Sequence, residues 1–275
     1  RHPARELAAL QPVVIRRQVM EPVLLLESYL KQLRLLTFVR NYRPFAEDGA
    51  RTNLTYDRFL LALAEQEVNE RERKREILRI KEARFPVLKE LADFDFSCVP
   101  QLNKQQVLAL AQGHYIRRAE PILLVGNPGL GKTHVATALA LAACRQGYKV
   151  RFYNAAGLVN ELIEAQDQHR LAKFLTAAKK CHLIVLDELG FIPFSDIGAQ
   201  LIFQFCSALH EKVALIVTTN LHFADWTQVF GNERLTSALL DRLTHRAHIL
   251  EFLGESYRFR QRMQHATSSA SPSQP

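Results

Sequence analysis

Residues Gly126 to Thr133 read Gly-Asn-Pro-Gly-Leu-Gly-Lys-Thr. The spacing Gly126-x4-Gly131-Lys132-Thr133 can wrap a phosphate: the glycines let the backbone curl, so that successive N–H groups point inward at anionic oxygens. The apolar run Ile-Leu-Leu-Val (122–125) precedes it, and a stretch that reads as a helix follows. That order of strand, loop and helix aims the positive end of a helix dipole at the same anion. Lys132 would reach the β and γ oxygens of a nucleoside triphosphate, and the Thr133 hydroxyl would ligate Mg²⁺. The candidate nucleotide contacts are Gly126, Asn127, Pro128, Gly129, Leu130, Gly131, Lys132, Thr133 and His134. ATP is the expected nucleotide.

A second segment, His-Leu-Ile-Val-Leu-Asp-Glu-Leu, ends an apolar run in paired carboxylates. Asp187 would hold the Mg²⁺ hydration shell, and Glu188 would polarise a water for attack on the γ-phosphate. Surface Asp-Glu pairs are common, so the pair gains meaning only beside the phosphate loop. It favours hydrolysis over transfer, because a kinase must place an acceptor hydroxyl there. A third apolar run, Ala-Leu-Ile-Val-Thr-Thr-Asn, ends in Asn220. Its amide would orient the attacking water or sense the γ-phosphate; the plainer reading is a strand-end turn.

These residues need elements to position them. From Pro121 onward, apolar runs at 122–125, 149–154, 182–187, 214–220 and 248–252 alternate with helical stripes. Continuous apolar strands belong to a parallel sheet covered by helices on both faces, an α/β architecture. Before it, residues 24–40 carry Leu26, Tyr29, Leu30, Leu33 and Leu36 at helical spacing. The stretch 40–53 reads as a loop broken by Pro44 and Gly49. A long helix is expected from an N-cap at Thr55 to about Arg84, before Pro86. Residues 103–116 read as one short helix. The expected divisions are therefore a leader at 1–24, a small all-α domain at 25–95, the α/β domain at 96–262 and a disordered tail at 263–275. Met20 is a possible start.

The chain of 275 residues carries a formal charge of +8. This suits a nucleic-acid partner without requiring one. Residues 25–100 hold 14 Lys and Arg against 13 Asp and Glu, so the excess is not concentrated in the helical region. There the run Glu-Arg-Glu-Arg-Lys-Arg-Glu (70–76) is read first as a solvated face laced with ion pairs. The sharper reading lays Arg71 to Arg75 along a DNA backbone. Four scattered cysteines, Cys98, Cys144, Cys181 and Cys206, make no zinc or disulfide framework and fit a reducing cytoplasm. No apolar run is long enough to span a bilayer, and the N-terminal stretch has no signal-peptide pattern.

The phosphate loop, the Leu-Asp-Glu strand end and a strand ending in Asn resemble the AAA+ P-loop NTPases. The segments DFDFS, VLDELGFIPF, LLDRLTHRAHILEF and GESYRFR narrow this, across about residues 25–262, to the IstB-like ATP-binding proteins, the helper ATPases of certain bacterial insertion sequences. That resemblance implies an N-terminal helical DNA-binding domain before an AAA+ domain. It also implies self-assembly with ATP on double-stranded DNA, target-site selection and stimulation of a partner transposase. By position Arg242 matches the family's arginine finger, acting on a neighbouring subunit's ATP, and Arg258 matches the second sensor arginine. Arg234, Arg246 and Arg260 stand close enough to compete for these roles. The first 20 or so residues have no counterpart in the family.

The nearest rival reading is a DnaC-like helicase loader, which would share the ATPase core but grip a helicase. A phosphotransferase would need an acceptor pocket and a lid, and the apolar Leu-Gly-Phe-Ile-Pro-Phe after Glu188 supplies neither. A nucleotide-switched scaffold is argued against by an intact Glu188.

Overall fold

A computed structural model describes residues 22–254. The expected leader, apart from residues 22–24, and the tail lie outside them. The chain forms two compact units, up to Lys74 and from Arg75 onward. That division falls inside a helix rather than at 95/96, because Ile80, Ala83 and Phe85 pack with the apolar core of the second unit.

In the first unit, α1 (Pro22–Gln32), α2 (Leu36–Arg51) and the start of α3 (Tyr56–Ala83) follow one another. The single helix expected over 24–40 is two. Arg34 turns left-handed at φ 57°, and Leu35 N–H reaches back to the Leu30 carbonyl at 2.8 Å. The turn is held from α3, where Arg71 Nη2 donates to the Arg34 carbonyl at 2.9 Å. Of the expected apolar stripe only Leu30 is buried. The loop expected at 40–53 is mostly helix: α2 runs through Pro44 and Gly49 to Arg51. An interior proline removes one helix bond and costs about 3 kcal/mol. The residues just before it are tied to α1, since Tyr42 OH and Arg43 Nη2 both donate to Glu27, at 3.1 and 2.8 Å. α3 starts after Thr55 and ends at Ala83, as the capping pattern predicts.

Glu67 of α3 is a buried carboxylate that joins these helices. It accepts the Thr37 N–H at 3.0 Å and Arg71 Nε at 2.6 Å. Burial pushes its carboxyl up, but the bonds from Thr37 and Arg71 outweigh that and hold it below the ordinary value. Arg73 and Lys74 pair with Glu70. The ion-paired reading therefore holds at Arg71, Arg73 and Lys74.

In the second unit, the expected helix at 103–116 is two short ones, α4 (Lys104–Leu110), capped by Asn103, and α5 (His114–Arg117), separated by Gly113 at φ 76°. There follow β1 (Ile122–Gly126), α6 (Lys132–Arg145), β2 (Val150–Asn154), α7 (Ala155–Asp167), α8 (Leu171–Ala178) and β3 (Leu183–Asp187). α9 (Asp196–Leu209), β4 (Ala214–Thr219), α10 (Thr227–Phe230), α11 (Glu233–Thr244) and β5 (His248–Phe252) complete it. The five strands form one parallel sheet in the order β2-β3-β4-β1-β5. Ile122 and Leu124 face one core with Val135 and Leu139 of α6. Leu123 and Val125 face the other with Leu158 of α7, Phe205 of α9 and Leu239 of α11. Burial on both faces is why the strands read as unbroken apolar runs. Among the described residues no helix is long and apolar enough to cross a membrane.

Candidate functional site

The carboxyl ends of β1, β3 and β4 adjoin, and in an open parallel sheet that is where ligands bind. β1 ends at Gly126, whose φ is 143°. A Cβ there would lie 2.0 Å from the Phe252 carbonyl on β5, so only glycine lets the chain leave the sheet. Gly131, at φ 86°, caps α6 with no side chain, and a Cβ on it would meet Phe94 at 2.6 Å. The first-turn N–H groups of α6 are thus free of a side-chain cap and adjoin the loop, the arrangement that binds phosphate. Leu130 anchors the loop through a buried side chain.

Lys132 is buried, and its Nζ donates to the carbonyls of Gly126 at 2.5 Å and Asn127 at 2.7 Å. Burial pushes its ammonium down to about 8, although Asp187 and Glu188 pull it upward. It therefore stays mostly charged at neutral pH. Thr133 Oγ1 donates to Asp187 Oδ1 at 2.9 Å. Burial raises the Asp187 carboxyl, opposed by hydrogen bonds from Thr218 and Thr133. His134, expected beside the nucleotide, turns its ring elsewhere: Nε2 donates to the Glu90 carbonyl at 2.8 Å, and the ring meets Phe94 edge-on.

A hydroxyl and a carboxylate in direct contact suit Mg²⁺, which takes one or two protein oxygens and completes its shell with phosphates and water. Among the described residues no cluster of three or more His, Cys, Asp or Glu could hold a metal by itself. When bound, the ion would neutralise charge on the β and γ oxygens.

Glu188 is exposed, with a left-handed backbone at φ 60°. Its Oε2 accepts Asn154 Nδ2 at 2.9 Å. Asn154 is the last residue of β2, paired in register with Asp187, and its Oδ1 caps α7 through Ala156 N and Gly157 N. Asn220 follows β4, and its buried Oδ1 has no protein donor. That leaves an acceptor at the end of β4 available to a water or a ligand.

Two site residues escape sequence reasoning, Asn154 and Thr218. Both end or nearly end strands already recognised in the sequence, and that position was the available signal. Arg242 stands apart. Its Nη1 donates to Ala238 O at 2.6 Å, and its guanidinium covers the Phe203 ring at 5.0 Å. It lines a small cavity with Pro121 and Leu215, at the amino ends of β1 and β4. The phosphate loop lies at their carboxyl ends. Arg258 is outside the described residues.

The family described as "IstB-like ATP binding protein" matches residues 28–265. The chain belongs to this family. Among IstB-like relatives, the Insertion sequence IS21 putative ATP-binding protein of Pseudomonas aeruginosa is 35% identical over 86% of this chain and 89% of its own. The Insertion sequence IS5376 putative ATP-binding protein of Geobacillus stearothermophilus is 32% identical over 86% and 94%. In fold, the IstB-like chain resembles the replication initiator DnaA bound to AMPPCP and single-stranded DNA, with TM-score 0.51, 21% identity and coverage of 67% of this chain and 56% of that one. It also resembles DnaI, with TM-score 0.50, 17% identity and coverage of 60% and 91%. The second unit is thus an AAA+ P-loop fold, and the relatives that share the family are named as putative ATP-binding proteins of insertion sequences.

Proposed function

We propose that this protein hydrolyses the ATP it binds, and that ATP turnover governs its assembly on double-stranded DNA, where it recruits or stimulates a partner transposase. Lys132 and the backbone of the loop hold the β and γ phosphates. Asp187 and Thr133 hold Mg²⁺. Glu188 takes a proton from the attacking water, which Asn220 orients. The work takes place in the cytoplasm, and Arg258 reaches the nucleotide of its own subunit.

One observation carries the assembly reading. Arg242 lies at the amino end of β1, and the phosphate loop at the other. Five residues of strand span roughly 16 Å, beyond the reach of one arginine. For Arg242 to stabilise charge on a γ-phosphate, that phosphate must therefore belong to a second copy, and in this reading a lone chain lacks that guanidinium. Membership among insertion-sequence ATP-binding proteins favours transposition over helicase loading.

The test is sedimentation with ATP analogue, with and without a short duplex, across a salt series. Assembly should need both nucleotide and duplex, and DNA affinity should fall linearly on a log–log salt plot. A single-copy species indifferent to duplex under every nucleotide condition contradicts the proposal.

A further inference from the structure

Thr218 lies on β4 between β3 and β1, with 1% of its surface exposed. Its hydroxyl makes two bonds of opposite sense. Oγ1 donates to Asp187 Oδ1 at 2.6 Å, and it accepts the Glu188 N–H at 2.8 Å. The direction is fixed by chemistry, since a carboxylate only accepts and a backbone N–H only donates. The next N–H, of Leu189, is taken by the Thr218 carbonyl at 2.9 Å.

These bonds occur where the ladder stops. β3 and β4 pair as far as Leu186 with Val217, after which the chain swings through Glu188 at φ 60°. A left-handed backbone at a non-glycine residue is strained and persists only when its surroundings hold it. The Thr218 hydroxyl replaces the ladder acceptor that the Glu188 N–H would otherwise lack. By saturating Asp187 Oδ1 together with Thr133, it also leaves Oδ2 as the oxygen free to face a metal.

We infer that Thr218 is a positioning residue that sets the two carboxylates together, Asp187 through its side chain and Glu188 through its backbone. Its effect on turnover rests on the ATPase reading above; its effect on metal binding does not. Only a side chain that donates and accepts at one atom does both tasks. Serine retains them, whereas valine, of nearly equal shape, loses both.

The experiment compares wild type with Thr218→Ser, Thr218→Val and Thr218→Ala. It titrates Mg²⁺ against binding of a fluorescent ATP analogue and follows phosphate release in parallel. With Val and Ala the Mg²⁺ needed for half-maximal binding should rise about 10–100-fold, the usual cost of losing an outer-shell partner. Turnover should fall by a similar factor, metal-free nucleotide binding should not change, and Ser should stay close to wild type. Ranking by hydroxyl supports the inference. Ranking by size, with Val nearest wild type, overturns it, as does a Val variant with unchanged Mg²⁺ demand. If wild type binds Mg²⁺ and the analogue but releases no phosphate from ATP, the ATPase reading fails and the Mg²⁺ titration still decides the role of Thr218.

Discussion

Replacing Lys132 by methionine should push two quantities in opposite directions. The ammonium is buried, and burial lowers its pKa from 10.5 to about 8. At 1.36 kcal/mol per tenfold change, that displacement costs folding about 3 kcal/mol. The sign follows from a base whose pKa is lower when folded: the penalty is absent above pH 10.5, grows as pH falls, and is complete below about 8. At pH 7 methionine removes it, while the carbonyls of Gly126 and Asn127 lose their donor, at about 1 kcal/mol each. The nucleotide-free variant should gain on the order of 1 kcal/mol, raising Tm by about 2–4 °C. ATP affinity should drop, because removing one partner of a buried charge pair costs about 3–5 kcal/mol, or at least about 100-fold in Kd. Thermal melting with and without ATP, together with titration calorimetry, reads both. A variant that melts lower without nucleotide, yet is stabilised by ATP as well as wild type, would refute both the burial argument and the phosphate assignment.

Glu188→Gln should bind ATP with near-normal affinity, release phosphate about 10²–10⁴-fold more slowly and keep the assembled form longer. An unchanged rate in a phosphate-release assay places the base elsewhere. In the helical unit, the depressed Glu67 carboxyl contributes stability that is full above the ordinary carboxyl pKa and lost as pH falls through its folded value. Acid should therefore loosen the contact of α3 with the start of α2, read by circular dichroism. Glu67→Gln should cost about 1–3 kcal/mol at pH 7 and flatten the acid limb; an unaltered acid limb would show that Glu67 is not the titrating group.

The phosphate loop was legible because its signal is local: an apolar strand, glycines at positive φ, then Lys-Thr opening a helix. The Asp187–Glu188 strand end was legible for the same reason, and all five strands fall within about a residue of the apolar runs. What escaped depends on which strands adjoin. Asn154 matters because β2 pairs with β3 in the register that places it beside Asp187. Thr218 matters because β4 lies between β3 and β1. Neither adjacency is written in spacing. The helical unit was misread where tertiary bonds override local preference, at Arg34, held left-handed from Arg71, and at Pro44, carried inside α2. The arginines of α3 were read first as an ion-paired face, and Arg71 and Arg73 do pair with Glu67 and Glu70, four and three residues away.

Subunit mixing tests the central claim most directly. Arg242→Ala keeps its phosphate loop and lacks the finger; Lys132→Met keeps the finger and lacks the loop. Each alone, on duplex DNA with ATP, should release phosphate at background rate. Mixed equally, they should recover about a quarter of wild-type turnover, the share of head-to-tail contacts that join an intact loop to an intact Arg242 under random pairing. A mixture as inactive as its components, or an Arg242→Ala protein that turns over normally by itself, would contradict a site completed by the neighbouring copy.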